Sequence, residues 1–439
     1  MEDHESLSLL ASRIPAEHLY RQENLPAPWW TQLQRSQPNP SLGAWLTPAS
    51  LSELTYALTE ACNQGWRVLA CGQGSKLSWG GSLESLDLVV STQQLTRIVD
   101  HAAADLTVTV ETGLPLAALQ QTLAQAGQFW PVNPLYPETT TVGGIVATAD
   151  TGSWRQGYGG VRDLLLGVTL VRHDGQVAKA GGRVVKNVAG YDLMKLVTGS
   201  YGSLGMLTQV TLRLYPLPQV RQFWLVTGGR PAVDALRRSL MAAAVAPAGV
   251  TVLSGTVLDA LGLAPELPLN LGILVELHGR PAGVAEQAQR ITALAHAAGL
   301  AAEAATDTVE WGSLSQLFRT ESGSGGLLAK VGVLPAQTVT FVDQVMRAWP
   351  AGRWQMQASS GLGWWCLPQG ASAEAITQVR AWSEAAGGFL TVLEAPLDLK
   401  QQVDIWGYPG QALEVMHTIK RQFDPAGRLS PGRFVARSL

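Results

Sequence analysis

Apolar positions at Leu51, Leu54, Leu58 and Cys62 fall on one face of a helix. Ser50 and Glu53 form a capping box that opens it, and Gly65 is placed to end it. A short apolar run then predicts a strand over 66–71, with further strands over 86–90 and 106–111 and a helix over 116–126. From 164 to 214 the pattern changes to antiparallel strands. Runs over 165–171 and 177–179 flank His173-Asp174-Gly175-Gln176, whose Asp-Gly pair predicts a hairpin turn. Met206, Thr208, Val210, Leu212 and Leu214 alternate with Leu207, Gln209, Thr211 and Arg213, which predicts a strand packed on one face. Pro216 and Pro218 mark a boundary. Beyond it, strands over 223–226, 250–253, 271–277, 327–333 and 363–367 alternate with helices over 233–243, 284–298, 339–349 and 373–386. Long apolar helices between such strands predict an antiparallel sheet covered on one side.

The fold class is therefore α+β, in four stretches. Residues 1–40 read as a helix and a loose arm, broken by Pro26, Pro28, Pro38 and Pro40. Residues 41–217 and 218–408 read as two domains, and 409–439 as a segment returning to the first.

Composition narrows the class. Only 15% of the 439 residues are charged and 46% are hydrophobic, so much of the chain must be buried. A net charge of −3 without a basic stripe argues against nucleic acid as a partner. Cys62, Cys71 and Cys366 show no CxxC spacing, so neither a disulfide framework nor a zinc or iron–sulfur site is expected. The apolar stretch over 239–277 is interrupted by Pro247, Asp259, Pro265, Glu266 and Pro268, unlike a membrane span. Glu2, Asp3 and Glu5 with no long apolar run behind them are unlike a secretory signal, so a cytoplasmic setting is expected.

Candidate chemistry lies in the glycine turns. Gly72-Gln73-Gly74-Ser75 follows a predicted strand, so its N–H groups are placed to form an anion nest. Thr139-Thr140-Thr141-Val142-Gly143-Gly144 and Gly199 to Thr208 supply two more side-chain-poor bends. Taken singly, such a bend is often only a tight crossing. The dinucleotide fingerprint would need a glycine at 77, where Leu77 stands, and a lysine–Ser/Thr P-loop is absent. The seven histidines are scattered, and each reads as a surface or packed residue, except that His278 stands at a strand end.

Several motifs occur together in family order. They are Pro48 with its capped helix, Gly72 to Ser75, Thr141 to Gly144, Tyr158-Gly159-Gly160-Val161-Arg162-Asp163, and Gly202-Ser203-Leu204-Gly205-Met206-Leu207-Thr208. They resemble the FAD-binding domain of the vanillyl-alcohol oxidase/p-cresol methylhydroxylase (PCMH) family over about residues 45–217. Lys186-Asn187-Val188-Ala189-Gly190-Tyr191-Asp192-Leu193 narrows the resemblance to the D-2-hydroxyacid dehydrogenase branch. The tail from Lys420 through Asp424-Pro425-Ala426-Gly427 to Pro431-Gly432-Arg433-Phe434 is similar to that of the smaller FAD-binding subunits of glycolate oxidases. The resemblance implies a two-subdomain PCMH-type FAD-binding domain followed by an α+β cap. It implies FAD held by Gly72, Gln73, Gly74, Ser75, Lys76, Thr139, Thr140, Thr141, Gly143, Gly144, Ala147, Thr148, Tyr158, Gly205, Met206, Leu207 and Thr208. Family members with covalent flavin carry a histidine where Gly74 stands, which implies non-covalent FAD here.

The catalytic half departs from that branch. Where its members carry metal-binding histidines, this chain reads Ser359-Ser360-Gly361-Leu362-Gly363-Trp364-Trp365-Cys366, and Glu414 to His417 does not restore a Glu-His-Gly motif. No metal site is expected. Arg319 in Phe318-Arg319-Thr320 matches the family's substrate-carboxylate arginine, and Lys330 matches a substrate-facing lysine. Both are equally readable as a solvated helix end and a strand-edge lysine.

Three readings stay open. One is an FAD subunit of a glycolate oxidase-type complex, partnered by a catalytic FAD subunit and an iron–sulfur subunit, acting on a small 2-hydroxy acid and meeting a membrane only through partners. Another is a self-sufficient FAD-dependent 2-hydroxyacid dehydrogenase without a metal. The last is a structural subunit with a vestigial flavin site.

Overall fold

The structure is a computed structural model and describes residues 9–37, 40–83, 85–183, 191–263, 271–305, 311–319, 325–407 and 411–434. The Lys186 to Gly190 part of the branch motif, Thr320, Pro38, Pro265, Glu266 and Pro268 lie outside the described residues. The chain divides into two compact units, one of 1–150, 160–217 and 408–439, the other of 151–159 and 218–407.

The first unit holds two sheets. Its first sheet comprises β1 (Leu19–Arg21), β2 (Leu42–Leu46), β3 (Val68–Cys71) and β4 (Leu86–Ser91), in the order β1-β2-β4-β3. β4 runs parallel to both β2 and β3, while β1 is antiparallel to β2. Helix α1 (Leu51–Gln64) makes the crossover from β2 to β3. Ser50 Oγ accepts from Glu53 N at 3.2 Å, and Gly65 ends the helix at φ 76°, the left-handed region that glycine enters without strain. Leu54, Leu58 and Ala61 pack with Leu46, Leu88 and Val90 on one side of the sheet. Trp45, Leu69 and Val89 pack with Leu33 and Leu77 on the other, so the parallel sheet is buried on both faces. The predicted loose arm is part of this packing: Trp29, in a helix over Ala27–Gln34, stacks on Trp45 at 5.0 Å.

The second sheet is antiparallel: β5 (Ile98–Ala102), β6 (Thr107–Glu111), β10 (Met206–Arg213), β8 (Leu165–Val171) and β9 (Val177–Gly181), in that order. A short pair, β7 (Gln128–Phe129) with β11 (Tyr215–Pro216), stands apart from it. The β8–β9 turn is the predicted one, with Gly175 at φ 80° and Asp174 Oδ1 accepting from Gln176 N at 3.2 Å. Helices α2 (Leu116–Gln125) and α3 (Val142–Thr148) contribute to the core of this sheet.

The expectation that β10 packs on one face is corrected. Only Gln209 and Arg213 escape burial along it. Register shifts at Leu207/Gln209 and Thr211/Leu212 break its alternation. Met206 joins the core of the first sheet while Leu207, Val210 and Leu212 join that of the second.

In the described C-terminal residues, Val68 N donates to Arg428 O at 2.9 Å and Ser430 N donates to Val68 O at 2.7 Å, which lays the tail along β3 in the first unit.

The second unit is one eight-stranded antiparallel sheet. Its strands are β12 (Val220–Gly228), β13 (Gly249–Ser254), β14 (Leu271–Gly279), β15 (Ala302–Ala304), β16 (Leu327–Gly332), β17 (Arg353–Gln357), β18 (Leu362–Leu367) and β19 (Phe389–Glu394). Their order is β15-β12-β14-β13-β17-β18-β16-β19. Helices α4 (Arg230–Ala242), α5 (Pro281–Ala297), α6 (Thr338–Ala348) and α7 (Ala373–Ala385) alternate with them. One sheet face is apolar: Trp354 stacks on Trp365 at 5.2 Å and meets Phe341 of α6 edge-on. Pairing register puts Glu276, Thr251, Gln357, Gln355, Trp364, Lys330 and Thr391 on the opposite face, together with Leu253 and Leu274.

Candidate functional site

In the first unit a cleft opens beside the end of β3. Three stretches distant in sequence wall it. The β3 turn contributes Gly72, Gln73, Gly74, Ser75 and Lys76. The start of α3 contributes Thr141, Gly143, Gly144, Ala147 and Thr148, and the approach to β10 contributes Gly205, Met206 and Leu207.

The walls are closed by bonds from residues the sequence reading did not single out. Thr112, just after β6, donates its hydroxyl to Leu207 O at 2.7 Å, and its carbonyl accepts from Gly143 N at 2.8 Å. Ser91, at the end of β4, donates to Gly72 O at 2.7 Å. A Cβ on Gly72 would stand 2.3 Å from Thr141 Oγ1, and one on Gly143 2.6 Å from Thr112 Cβ. Glycine is required there because the walls meet backbone to side chain. Thr92, Thr112, Tyr201, Gly202 and Arg433 also line the cleft. Thr112 and Thr92 follow strand ends without a motif, so only the pairing of β6 with β10 and of β4 with β3 could have revealed them.

Other expected residues lie elsewhere. Thr139 is exposed, and Thr140 is buried outside the lining with its carbonyl accepting from Leu116 N at 3.0 Å. Thr208 is buried and donates to Thr169 O at 3.1 Å. Tyr158 belongs to the second unit, where its hydroxyl bonds His278 Nδ1 at 3.0 Å; His278 Nε2 in turn lies 2.8 Å from Glu276 Oε1. His278 is thus a packed, partnered residue. Arg319 and Lys330 also lie in the second unit. Arg319 is half-buried after a helix over Trp311–Gln316, and Lys330 is half-buried on β16 between Trp364 and Thr391. Among the described residues no group of three or more His, Cys, Asp or Glu is placed to hold a metal.

Two cations line the cleft and differ in their surroundings. Lys76 Nζ lies 2.8 Å from Asp150 Oδ2 and over the Trp79 ring, and donates to Thr148 Oγ1 at 3.2 Å. Burial pulls the lysine pKa down, opposed by Asp150. Arg433, only 3% exposed, donates Nη1 to the carbonyls of Trp79 and Gly81, while its buried Nη2 has no partner. Burial pushes its pKa down to about 10. Burial likewise pushes the Cys71 thiol up to about 12. The glycine walls and the spare guanidinium edge fit a long ligand that bears an anion.

Comparison with known proteins agrees with that chemistry. Residues 43–181 match the family model described as FAD binding domain. The chain is 42% identical over 172 residues to glycolate oxidase subunit GlcE of Escherichia coli, covering 38% of this chain and 49% of that protein. It is 32% identical over 207 residues to a D-2-hydroxyglutarate dehydrogenase of Xanthomonas citri, covering 47% of this chain and 43% of that one. It is 28% identical over 179 residues to glycolate oxidase subunit GlcD of Bacillus subtilis, covering 41% and 38%. The chain thus spans half or less of the length of these curated relatives. Among solved structures, p-cresol methylhydroxylase superposes with a TM-score of 0.75 at 14% identity, covering 99% of this chain and 97% of that one. A 4-ethylphenol oxidase of Gulosibacter chungangensis gives 0.75 at 15% identity with the same coverage, so the fold is shared. Residues 43–181 thus match an FAD binding domain, the chain shares the fold of the PCMH-type flavoproteins, and FAD is its cofactor.

Proposed function

We propose that this chain is an FAD subunit of a glycolate oxidase-type complex, taking part in oxidation of glycolate or a similar small 2-hydroxy acid. The observation that carries the reading is the convergence of the glycine bends near residues 72, 143 and 205 on one cleft, mostly within the stretch that matches the FAD binding domain. Identity of 42% to a glycolate oxidase subunit supports the substrate class. The partners proposed are a catalytic FAD subunit and an iron–sulfur subunit, and any membrane contact is assigned to them. Among the described residues no helix is long and apolar enough to cross a membrane.

Oxidation of a 2-hydroxy acid to its 2-oxo acid removes a proton from the hydroxyl and a hydride from C2. FAD, when bound, supplies the hydride acceptor. The chain's share is positioning. The first unit holds the cofactor between its glycine walls, with no histidine at Gly74 to bond it covalently. In the second unit the planar fork of Arg319 suits a carboxylate, and the Lys330 ammonium is suited to negative charge that develops on reduction.

The test is to purify the chain alone and together with its partner subunits. FAD should copurify and be released by acid precipitation. Glycolate or D-lactate should bleach it under anaerobic conditions only when the partners are present. Bleaching by glycolate in the isolated chain would favour a self-sufficient dehydrogenase, and a colourless chain that refuses FAD would make the site vestigial. Arg319→Ala should leave FAD content unchanged and slow substrate-driven bleaching at least roughly tenfold, the loss expected for one charge-assisted contact. Unchanged bleaching would remove Arg319 from the site.

A further inference from the structure

We propose that Arg433, carried by the C-terminal segment, is the cation that holds the diphosphate of the dinucleotide, so that this segment is part of the cofactor site. The proposal rests on the cleft being the FAD site.

Three observations lead there. The first is burial without charge compensation. Arg433 is 3% exposed, and among the described residues no ion pair involves it. Its Nη1 is spent on two neutral carbonyls, those of Trp79 and Gly81. A guanidinium withdrawn from water is costly unless an anion meets it, and none of the described side chains does so.

The second is its unused edge at a cleft-lining residue. Nη2 is buried and unpartnered, and Arg433 lines the cleft. Cys71, which immediately precedes the Gly72 turn, lines the cleft together with Arg433 and the glycine bend. Planar N–H pairs match phosphate oxygens in geometry and in charge.

The third is the state of the alternative cation. Lys76 lines the same cleft, but its ammonium is matched by Asp150 at 2.8 Å and by Thr148. A lysine already neutralised adds little net charge for an anion. Arg433 lies outside 43–181, so the match to the FAD binding domain does not include it.

The tail is built to hold this side chain in place. Lys420 bonds Asp424 and donates to Ser203 O at 2.8 Å and Leu429 O at 2.9 Å. Ser430 Oγ donates to Gly202 O at 3.2 Å, beside the cleft. Phe434, next to Arg433 in the chain, stacks on Tyr201 at 5.9 Å.

The experiment compares wild-type apoprotein with Arg433→Met and Arg433→Lys, titrating each with FAD, ADP and riboflavin. FAD and ADP carry the diphosphate; riboflavin carries only the ring and ribityl chain. Arg433→Met should weaken FAD and ADP by roughly 10- to 100-fold, the range for a lost charge-assisted hydrogen bond, and leave riboflavin within about twofold. Arg433→Lys should recover part of the loss, and wild-type affinity for ADP should fall more steeply with salt than that of Arg433→Met. Equal FAD and ADP affinity in wild type and Arg433→Met would overturn the proposal. So would parallel weakening of all three ligands with a lowered apoprotein melting temperature, because that is the signature of a purely structural arginine. A wild-type chain that binds riboflavin but neither FAD nor ADP overturns it as well. One that binds none of the three overturns the FAD reading of the cleft itself.

Discussion

Lys76 and Arg433 stand in one cleft, and what each side chain meets decides its role. Asp150 is wholly buried; its Oδ2 receives both the Lys76 ammonium and Leu135 N, the latter at 3.1 Å. Removing the carboxylate leaves a buried cation with only Thr148 and the Trp79 ring. Asp150→Ala should therefore destabilise the apoprotein by about 3–5 kcal/mol, the usual cost of breaking a buried pair on one side. Lys76→Met combined with Asp150→Ala should cost less than the two single changes added together. The pH dependence has a definite sign. The folded pKa of Lys76 already lies below 10.5, and burial without Asp150 lowers it further. Between that folded value and 10.5 the unfolded chain keeps a proton the folded chain has shed, so stability of the single variant should rise with pH across this window. Urea unfolding of the apoproteins from pH 7 to 10 checks both statements. Additive costs, or a fall in stability with pH specific to the variant, would contradict them.

At the scale of elements, the C-terminal segment is the clearest case of structure placed by one side chain. Asp424 is 1% exposed; beside its bond with Lys420, it accepts from Leu429 N at 2.7 Å and Arg428 N at 3.1 Å. Asp424→Ala leaves Lys420 unpaired and frees both amides, so a loss of about 3 kcal/mol is expected, together with weaker FAD binding as Arg433 loses its support. Unchanged FAD affinity in this variant would separate the tail from the cofactor site. Legibility at this scale followed local chemistry. α1 was readable because Ser50, Glu53 and Gly65 fix its ends, and the β8–β9 hairpin because Asp174-Gly175 dictates its turn. β17 and β19 were not read. β17 alternates Trp354 and Met356 with Gln355 and Gln357 over too few residues, and β19 is a short apolar run that periodicity cannot separate from buried helix. The glycine bends of the cleft were legible as motifs. The roles of Thr112, Ser91 and Arg433 were not, because they arise from strand pairing and from a tail returning across the whole sequence.

At the scale of the molecule, two units with separate sheets divide the work. The cleft is lined entirely from the first unit. The second buries a core of its own around Trp354, Trp365 and Phe341. Heating should therefore show more than one transition, since a chain with two cores need not unfold in a single step. A ligand bound only by the folded first unit raises that unit's stability by mass action, about 2.7 kcal/mol at a hundredfold excess over its Kd. For a unit of this size each kcal/mol moves the midpoint by roughly 2–4 °C, so FAD should raise one transition by about 5–10 °C and leave the other in place. Scanning calorimetry of the apoprotein with and without FAD reads this directly, and ADP should reproduce part of the shift. A single transition that moves as a whole would mean the two cores unfold as one body. In that case, mutations around Trp354 would weaken FAD binding without touching the cleft.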